Sequence, residues 1–428
     1  MSEMKNLQVL QDADLNGKVV LARVDHNVVK KGIIKDPYRI DSTIGTLMSI
    51  YAKGGRPILM THVGRPKDKK TGEISISPDS SVRPIVEYLQ NKLYLNIVVP
   101  EFTETAKKGY TDVDSSIKDH IKDLKEGKID AIYMPNTRWF LGEEDKGEEA
   151  EKLSKQLADL ADVYMNDAFG SWQAHVSTVG VAKHLPAYAG HLMQKEIKNL
   201  ERIFNPEKPF VAVVAGAKFD TKADSLYSLL DKADHLVLGG VIYNAYLCAK
   251  YDIKIEGVSD DDIKVAKEFV DYASKHADKI LELPHIIESD TLDGKFDGKY
   301  REHDVRSLEA GTKLNYVLDV SEKSFREDKV QEAFKNAKTI FTNAVMGLTP
   351  DFAEGTIALD KLIDENKGAM KLFGGGDTNE ELKNLLPGVY MKAVDDPSYY
   401  LFTGGGAVLK AIQEGTTGGL DPVKALMK

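Results

Sequence analysis

From Lys18 to Thr403 short apolar runs alternate with stretches of helical period, and few folds accommodate such a pattern. Lys18–Val24, Pro57–Thr61, Leu95–Val99, Ala131–Met134 and Asp162–Asn166 read as strands, with Asp41–Lys53, Ser80–Lys92 and Glu148–Leu160 as helices between them. A second series runs through Phe210–Val214, His235–Leu238, Asn315–Val320, Thr339–Thr342, Met370–Phe373 and Tyr400–Thr403. Apolar strands alternating with helices imply mostly parallel sheets covered by those helices. The chain is therefore read as α/β, with two doubly wound, Rossmann-like parallel-sheet domains. Gly190–Phe204 carries Leu192, Met193, Ile197 and Leu200 at helical spacing, with Pro206 and Pro209 beyond it, and is read as the helix that joins them. The expected domains are residues 1–186 and 206–405, the joining helix 187–205, and a C-terminal helix and tail 406–428 that returns to the first domain. Asp260–His276 reads as a further helix, and Thr291–Arg301 as a polar excursion or hairpin to which no chemistry is assigned.

Composition narrows the function. Lys and Arg total 57 against 67 Asp and Glu, a net charge of -10, which argues against a general nucleic-acid or anionic-membrane surface. Any anion site must be local. Cys248 is the single cysteine, so an intramolecular disulfide and a thiolate metal cluster are both excluded, and a reducing compartment fits. With no apolar stretch long enough to span a bilayer, the expectation is a cytoplasmic protein.

In an open α/β sheet ligands bind outside the carboxyl ends of the strands. The first half places basic and polar groups there: Asp25, His26 and Asn27 after strand one with Arg39 in the loop beyond, His62 and Arg65 after strand two, Asn136 and Arg138 after strand four, and His175 beyond the last strand. For any one of them a solvated surface residue or a helix cap is the competing account. Their convergence in an acidic chain points to a small anion carrying phosphate and carboxylate, which Arg forks fit geometrically. Arg23, inside an apolar strand, reads as a structural ion pair.

The second half uses glycine. Strands end in Gly216-Ala217-Lys218, Gly239-Gly240, Gly374-Gly375-Gly376-Asp377-Thr378 and Thr403-Gly404-Gly405-Gly406, each followed by a helical pattern. Such a turn presents backbone N–H groups and a helix N-terminus to phosphate, so a nucleotide site is expected. Close strand-to-helix packing explains one such turn but not four. Asp377 is placed to hold Mg²⁺ on the nucleotide and Thr378 to cap the helix, with Asp377 as a simple N-cap the competing account. The P-loop and dinucleotide fingerprints and the H-R-D and D-F-G pair of protein kinases are absent.

Taken in order, Arg-Val-Asp25-His-Asn27, His62-Val-Gly-Arg65-Pro-Lys, Asn-Asp-Ala-Phe-Gly170, Gly216-Ala-Lys218, Gly-Gly-Gly-Asp377-Thr and Thr-Gly-Gly-Gly406-Ala resemble phosphoglycerate kinase from about Val19 to the C-terminus. The resemblance implies reversible phosphoryl transfer from the acyl phosphate of 1,3-bisphosphoglycerate to Mg-ADP, giving 3-phosphoglycerate and ATP. It implies that Asp25, Asn27, Arg39, His62, Arg65 and Arg138 bind the acid, with His175 nearby. Gly216, Ala217, Lys218, Lys222, Gly239, Gly240, Asn343 and Gly374 through Thr378 would bind the nucleotide, with Asp377 on the metal. Arg39, Lys218, Gly376 and Gly404 to Gly406 would serve the transferring group. Hinge closure about the joining helix, small-molecule partners only and a monomeric state complete that expectation.

The chain departs from the family in two places. Gly170-Ser-Trp-Gln-Ala-His175 is shorter than the family's stretch and lacks its arginine, leaving His175, Lys183 and Trp172 as neighbours of the gap. Asn343-Ala-Val-Met-Gly-Leu-Thr-Pro350 is also shortened and lacks the ribose-binding glutamate, for which Asp351 and Glu354 are the candidates. A kinase for another small carboxylic or phosphorylated acid, and a non-catalytic nucleotide-binding paralogue, are the alternative readings.

Overall fold

The computed structural model describes residues 3–276 and 279–428. They form two compact units: residues 1–198 with 417–428, and residues 199–416.

In the first unit six strands make one parallel sheet: β1 (Val19–Val24), β2 (Arg56–Met60), β3 (Ile97–Val98), β4 (Ala131–Tyr133), β5 (Val163–Asp167) and β6 (Ala187–Ala189). Their order is β3-β4-β2-β1-β5-β6. All six residues of β1 are buried, as expected of a central parallel strand covered on both faces. Helices α1 (Tyr38–Ala52), α2 (Arg83–Leu93), α3 (Ile117–Lys125) and α4 (Glu148–Ala158) connect them. Ile40, Leu47 and Ile50 of α1 and Ile85, Val86 and Leu89 of α2 join Val20, Ala22 and Leu59 of the sheet in one core cluster. The strand order reverses between β1 and β5, where Val24 lies in register with Asp167. A ligand crevice is expected there.

Helix α5 (His191–Phe204) runs from the first unit into the second. Its start is built by β5 and α1: the Met193 amide donates to Asp167 Oδ1 at 3.0 Å, and the His191 amide to Thr46 Oγ1 at 2.8 Å.

The second unit holds β7 (Phe210–Gly216), β8 (His235–Gly239), β9 (His285–Ser289), β10 (Tyr300–Asp304), β11 (Tyr316–Val320), β12 (Thr339–Asn343), β13 (Met370–Gly374) and β14 (Tyr399–Phe402). Five of them form the parallel sheet β8-β7-β12-β13-β14, which reverses between β7 and β12. Its helices are α6 (Ala223–Lys232), α7 (Gly240–Tyr251), α8 (Asp260–Ala273), α9 (Asp328–Asn336), α10 (Glu354–Glu365), α11 (Gly376–Leu385), α12 (Pro387–Asp395) and α13 (Gly405–Glu414).

Several expectations are corrected. The run Asn315–Val320 does not join the parallel sheet: β11 pairs antiparallel with β9 in a separate sheet β10-β9-β11. An apolar run announces a strand but not the direction of its partner. β6 is too short for its sequence to mark it as a strand. The segment grouped with the first unit starts at Thr417, so α13 stays with the second unit and the boundary lies at 416/417, not 405/406. Among the described residues no helix is long and apolar enough to cross a membrane.

Candidate active site

In the first unit the loops after β1, β2 and β4 and the segment after β5 enclose an open cavity of about 950 Å³. Asn27, His62, Arg65, Arg138 and His175 all line it, so five of the seven acid-binding candidates meet in one place. Asp25 and Arg39 do not line it. They pair beside it, with Arg39 Nη1 3.4 Å from Asp25 Oδ1 and the Asn27 amide donating to the same oxygen at 3.4 Å. Burial favours the neutral acid at Asp25, but Arg39 and Arg23 outweigh it and hold the carboxyl below its usual range. Arg39 belongs to the first turn of α1, not to the loop before it, because Pro37 fixes the entry and the helix starts at Tyr38.

Side-chain amides set the loops. Asn136, fully buried, accepts from the Val63 and Arg138 amides at 3.0 and 3.1 Å and donates to the Val63 and Ser80 carbonyls. It is a staple between strand ends, not an anion ligand. Asn27 Oδ1 accepts from the Gly64 amide at 2.9 Å. Arg138 donates to the Gly64 carbonyl and lies 3.0 Å from Glu144. His26 is buried between Tyr133 and Thr43, each 2.8 Å away, and burial depresses its pKa to about 3, so it is a neutral core residue.

Arg23 makes no ion pair among the described residues, contrary to the sequence expectation. Its guanidinium is wholly buried and donates to Ser177 Oγ at 2.9 Å, to the Val24 carbonyl and to His62 Nδ1 at 2.9 Å. The nearby carboxylate, Glu143, is 1% exposed and receives the Ser177 amide and hydroxyl. His175 lies 3.9 Å from Glu144, and burial lowers its pKa against the pull of Glu143 and Glu144. In the ligand-free protein it is therefore not the cation that the shortened loop lacks.

Among the lining residues that sequence reading missed are Lys30, Lys69 and Glu144. Lys30 is exposed on a two-residue hairpin whose central residues, Lys31 and Gly32, both have positive φ, as a type I′ turn requires. The Lys30-Lys31-Gly32 sequence is the signal that could have marked it. Lys30, Arg65 and Lys69 form no ion pair among the described residues, whereas Lys67 is taken up by Asp145 at 2.5 Å.

In the second unit the glycine turns converge at the reversal point. Helices α7, α11 and α13 start with Gly239, Gly375 and Gly404 as N-caps, and no side chain caps any of them, so their first N–H groups are open to a ligand. This excludes Asp377 as N-cap and Thr378 as capping residue: Asp377 is exposed in the first turn of α11 and Thr378 is buried. Asn343 organises the turns. Its Oδ1 accepts from Lys222 Nζ at 3.2 Å and its Nδ2 donates to the Gly374 carbonyl. Burial lowers the Lys222 pKa, opposed by Asp377. Gly375 has φ +119, and a Cβ there would stand 2.9 Å from Asn343 Nδ2 and 3.2 Å from Gly405 Cα. At Gly239 a Cβ would stand 2.6 Å from Met346 Sδ, the end of a flexible side chain. Ala217 and Lys218 are exposed just beyond β7, and Gly216 bridges Gly240.

The first unit carries a cationic cavity at its sheet reversal, and the second carries open helix N-termini at its own. The family model described as phosphoglycerate kinase matches residues 10–415. The chain belongs to the phosphoglycerate kinase family. It is 35% identical to the phosphoglycerate kinase of Limosilactobacillus reuteri over 94% of this chain and 96% of that one. Against the Pseudothermotoga lettingae enzyme it is 33% identical, over 96% of each chain. The solved structure of phosphoglycerate kinase from Coxiella burnetii superposes with a TM-score of 0.75 at 27% identity, covering 98% of both chains.

Proposed function

We propose that the chain catalyses reversible phosphoryl transfer between the acyl phosphate of 1,3-bisphosphoglycerate and ADP, with the acid in the first-unit cavity and the nucleotide on the glycine turns of the second unit. The observation that carries this assignment is the division of labour: unpaired cations gather in one unit, uncapped helix N-termini in the other.

In the ATP-forming direction an oxygen of the ADP β-phosphate attacks the acyl phosphorus, the P–O bond to the carboxyl breaks, and the 3-phosphoglycerate carboxylate leaves. Both nucleophile and leaving group are anions, so no proton has to move and no general base is needed. The work is alignment and charge neutralisation. Arg39, Lys218 and the N–H groups of Gly376 and Gly404 to Gly406 would serve the transferring group, while Lys222, Gly239, Gly240 and Asn343 hold the nucleotide. Asp25, Asn27, His62, Arg65 and Arg138 hold the acid. We include closure of the two units about α5 in the proposal, because in-line transfer requires both substrates at one phosphorus and exclusion of water that would hydrolyse the acyl phosphate.

Among the described residues no cluster of three metal-ligating side chains exists. The Asp377 side chain is exposed and, among the described residues, forms no hydrogen bond or ion pair. One free carboxylate fits Mg²⁺ that arrives on nucleotide phosphates. When bound, the ion supplies positive charge to the phosphate oxygens. Asp351 and Glu354, the latter paired with Lys295, are the two carboxylates proposed for the ribose.

For the absent arginine the supporting residues are Lys30 and Lys69, the unpaired lysines of the cavity. Arg65→Ala and Lys30→Ala test the acid assignment. Both should raise the Michaelis constant for 3-phosphoglycerate, Arg65→Ala by about one decade or more, the worth of a charged hydrogen bond. The constant for ATP should stay unchanged. A parallel rise for both substrates would place these residues elsewhere.

A further inference from the structure

We infer that Arg23 is a positioning residue that fixes His62 as a neutral imidazole protonated on Nε2, so that the acid cavity always presents the same hydrogen-bond donor. The inference rests on the reading of that cavity as the acid site. Arg23 Nη2 stands 2.9 Å from His62 Nδ1. A guanidinium only donates, so Nδ1 must accept with its lone pair, and the single ring proton falls on Nε2. Among the described residues His62 Nε2 makes no hydrogen bond, and the ring lines the cavity. A bound carboxylate or phosphate would therefore meet an N–H.

Arg23 cannot turn away from this duty. Its Nε donates to Ser177 Oγ at 2.9 Å, a second contact reaches Ser171 Oγ at 3.4 Å, and Nη1 is tied to the Val24 carbonyl. Ser177 in turn donates its hydroxyl and amide to Glu143. The buried guanidinium and the buried carboxylate are thus joined through one hydroxyl, Glu143 to Ser177 to Arg23 to His62, with the last group in the cavity wall. Protonating His62 would set a second N–H against Arg23 inside that buried network.

The charged groups facing His62 are Arg23 on β1, Asp25 just after it, Arg39 on α1 and Arg138 after β4. Only Asp25 favours the imidazolium. Burial and then Arg23 disfavour it, with Arg138 and Arg39 adding to them.

The test is ring-nitrogen NMR of the whole protein labelled with ¹⁵N-histidine, from about pH 5.5 to 8, the range in which histidine ordinarily titrates. The His62 signals are identified by their loss in His62→Gln. The expected result is a neutral ring with the proton on Nε2 throughout. An imidazolium that appears with a midpoint between about 6 and 7, or a proton on Nδ1, overturns the inference. Arg23→Met, which keeps the bulk of the aliphatic stem, frees Nδ1, so the ring proton should then be shared between Nδ1 and Nε2 and the Michaelis constant for 3-phosphoglycerate should rise, while the constant for ATP does not. If that variant does not fold, the wild-type spectrum decides alone. Addition of 3-phosphoglycerate should shift the Nε2 resonance. A fixed tautomer with no such shift would sink the acid-site reading and leave the tautomer intact.

Discussion

Lys222 donates from Nζ to Asn343 Oδ1 at 3.2 Å, linking the turn after β7 to the end of β12 across the reversal point of the second sheet. Because the other end of the same amide holds the Gly374 carbonyl, Asn343 fixes both an amine and a glycine turn. Asn343→Ala should therefore raise the Michaelis constant for ATP by about one to two decades, the worth of a charged hydrogen bond, without changing that for the acid. Initial rates with each substrate varied in turn check this. An unchanged ATP constant would remove Asn343 from the nucleotide site.

Gly375→Ala combines strain with a clash, since φ is +119 and the new methyl would meet Asn343 and Gly405. It should destabilise the protein by about 1–3 kcal/mol, typical of a residue forced into sparse backbone space, and abolish nucleotide binding. Gly388→Ala is the control. That glycine lies in α12 with nothing within 4 Å of its Cβ position, and alanine there should be neutral or stabilising by about 0.5–1 kcal/mol. Urea unfolding of the two variants would contradict the argument if they lost stability equally.

Asp377→Ala should weaken Mg-ATP much more than metal-free ATP. The carboxylate is not the N-cap, because Gly375 holds that position, so loss of a cap cannot produce an equal loss under both conditions. Titration calorimetry with and without Mg²⁺ separates the cases. Equal losses would rule out the metal role.

His175 gives a pH prediction of a definite sign. Burial holds its pKa below the ordinary histidine value, so the free ring is neutral at pH 7 and above. A depressed pKa means that protonation is disfavoured in the fold, and charge on this ring is gained only as pH falls below the usual range. Between about pH 7 and 8 the Michaelis constant for 3-phosphoglycerate should be flat, and His175→Gln should leave that profile unaltered. A constant that climbs over this interval in wild type and not in the variant would restore His175 as a cationic ligand.

The strand ends were legible because parallel strands are apolar throughout and the polar residues that follow them stand out: His62, Arg65, Arg138 and the glycine runs all read directly. Long-range geometry was not legible. Nothing local in the sequence places Gly375 against Gly405, or shows that Asn136 staples Val63 and Ser80 instead of meeting an anion. Arg23 looked like half of an ion pair because a buried cation needs compensation, and its charge is in fact matched through Ser177 by Glu143, a residue far along the chain. Lys30 was overlooked because a lysine on a hairpin ordinarily belongs to solvent. Tyr316–Val320 was placed in the wrong sheet because strand direction is decided by partners, not by composition.

The central claim is that this chain joins a phosphoglycerate site in one unit to an ATP site in the other. A coupled assay with Mg-ATP and 3-phosphoglycerate, run beside a panel of other small hydroxy and phosphorylated acids, tests it most directly. The account predicts turnover with 3-phosphoglycerate above that with every other acid, and its loss in Arg39→Ala with ATP binding retained. Turnover confined to a different acid, or none with any of them, would contradict it.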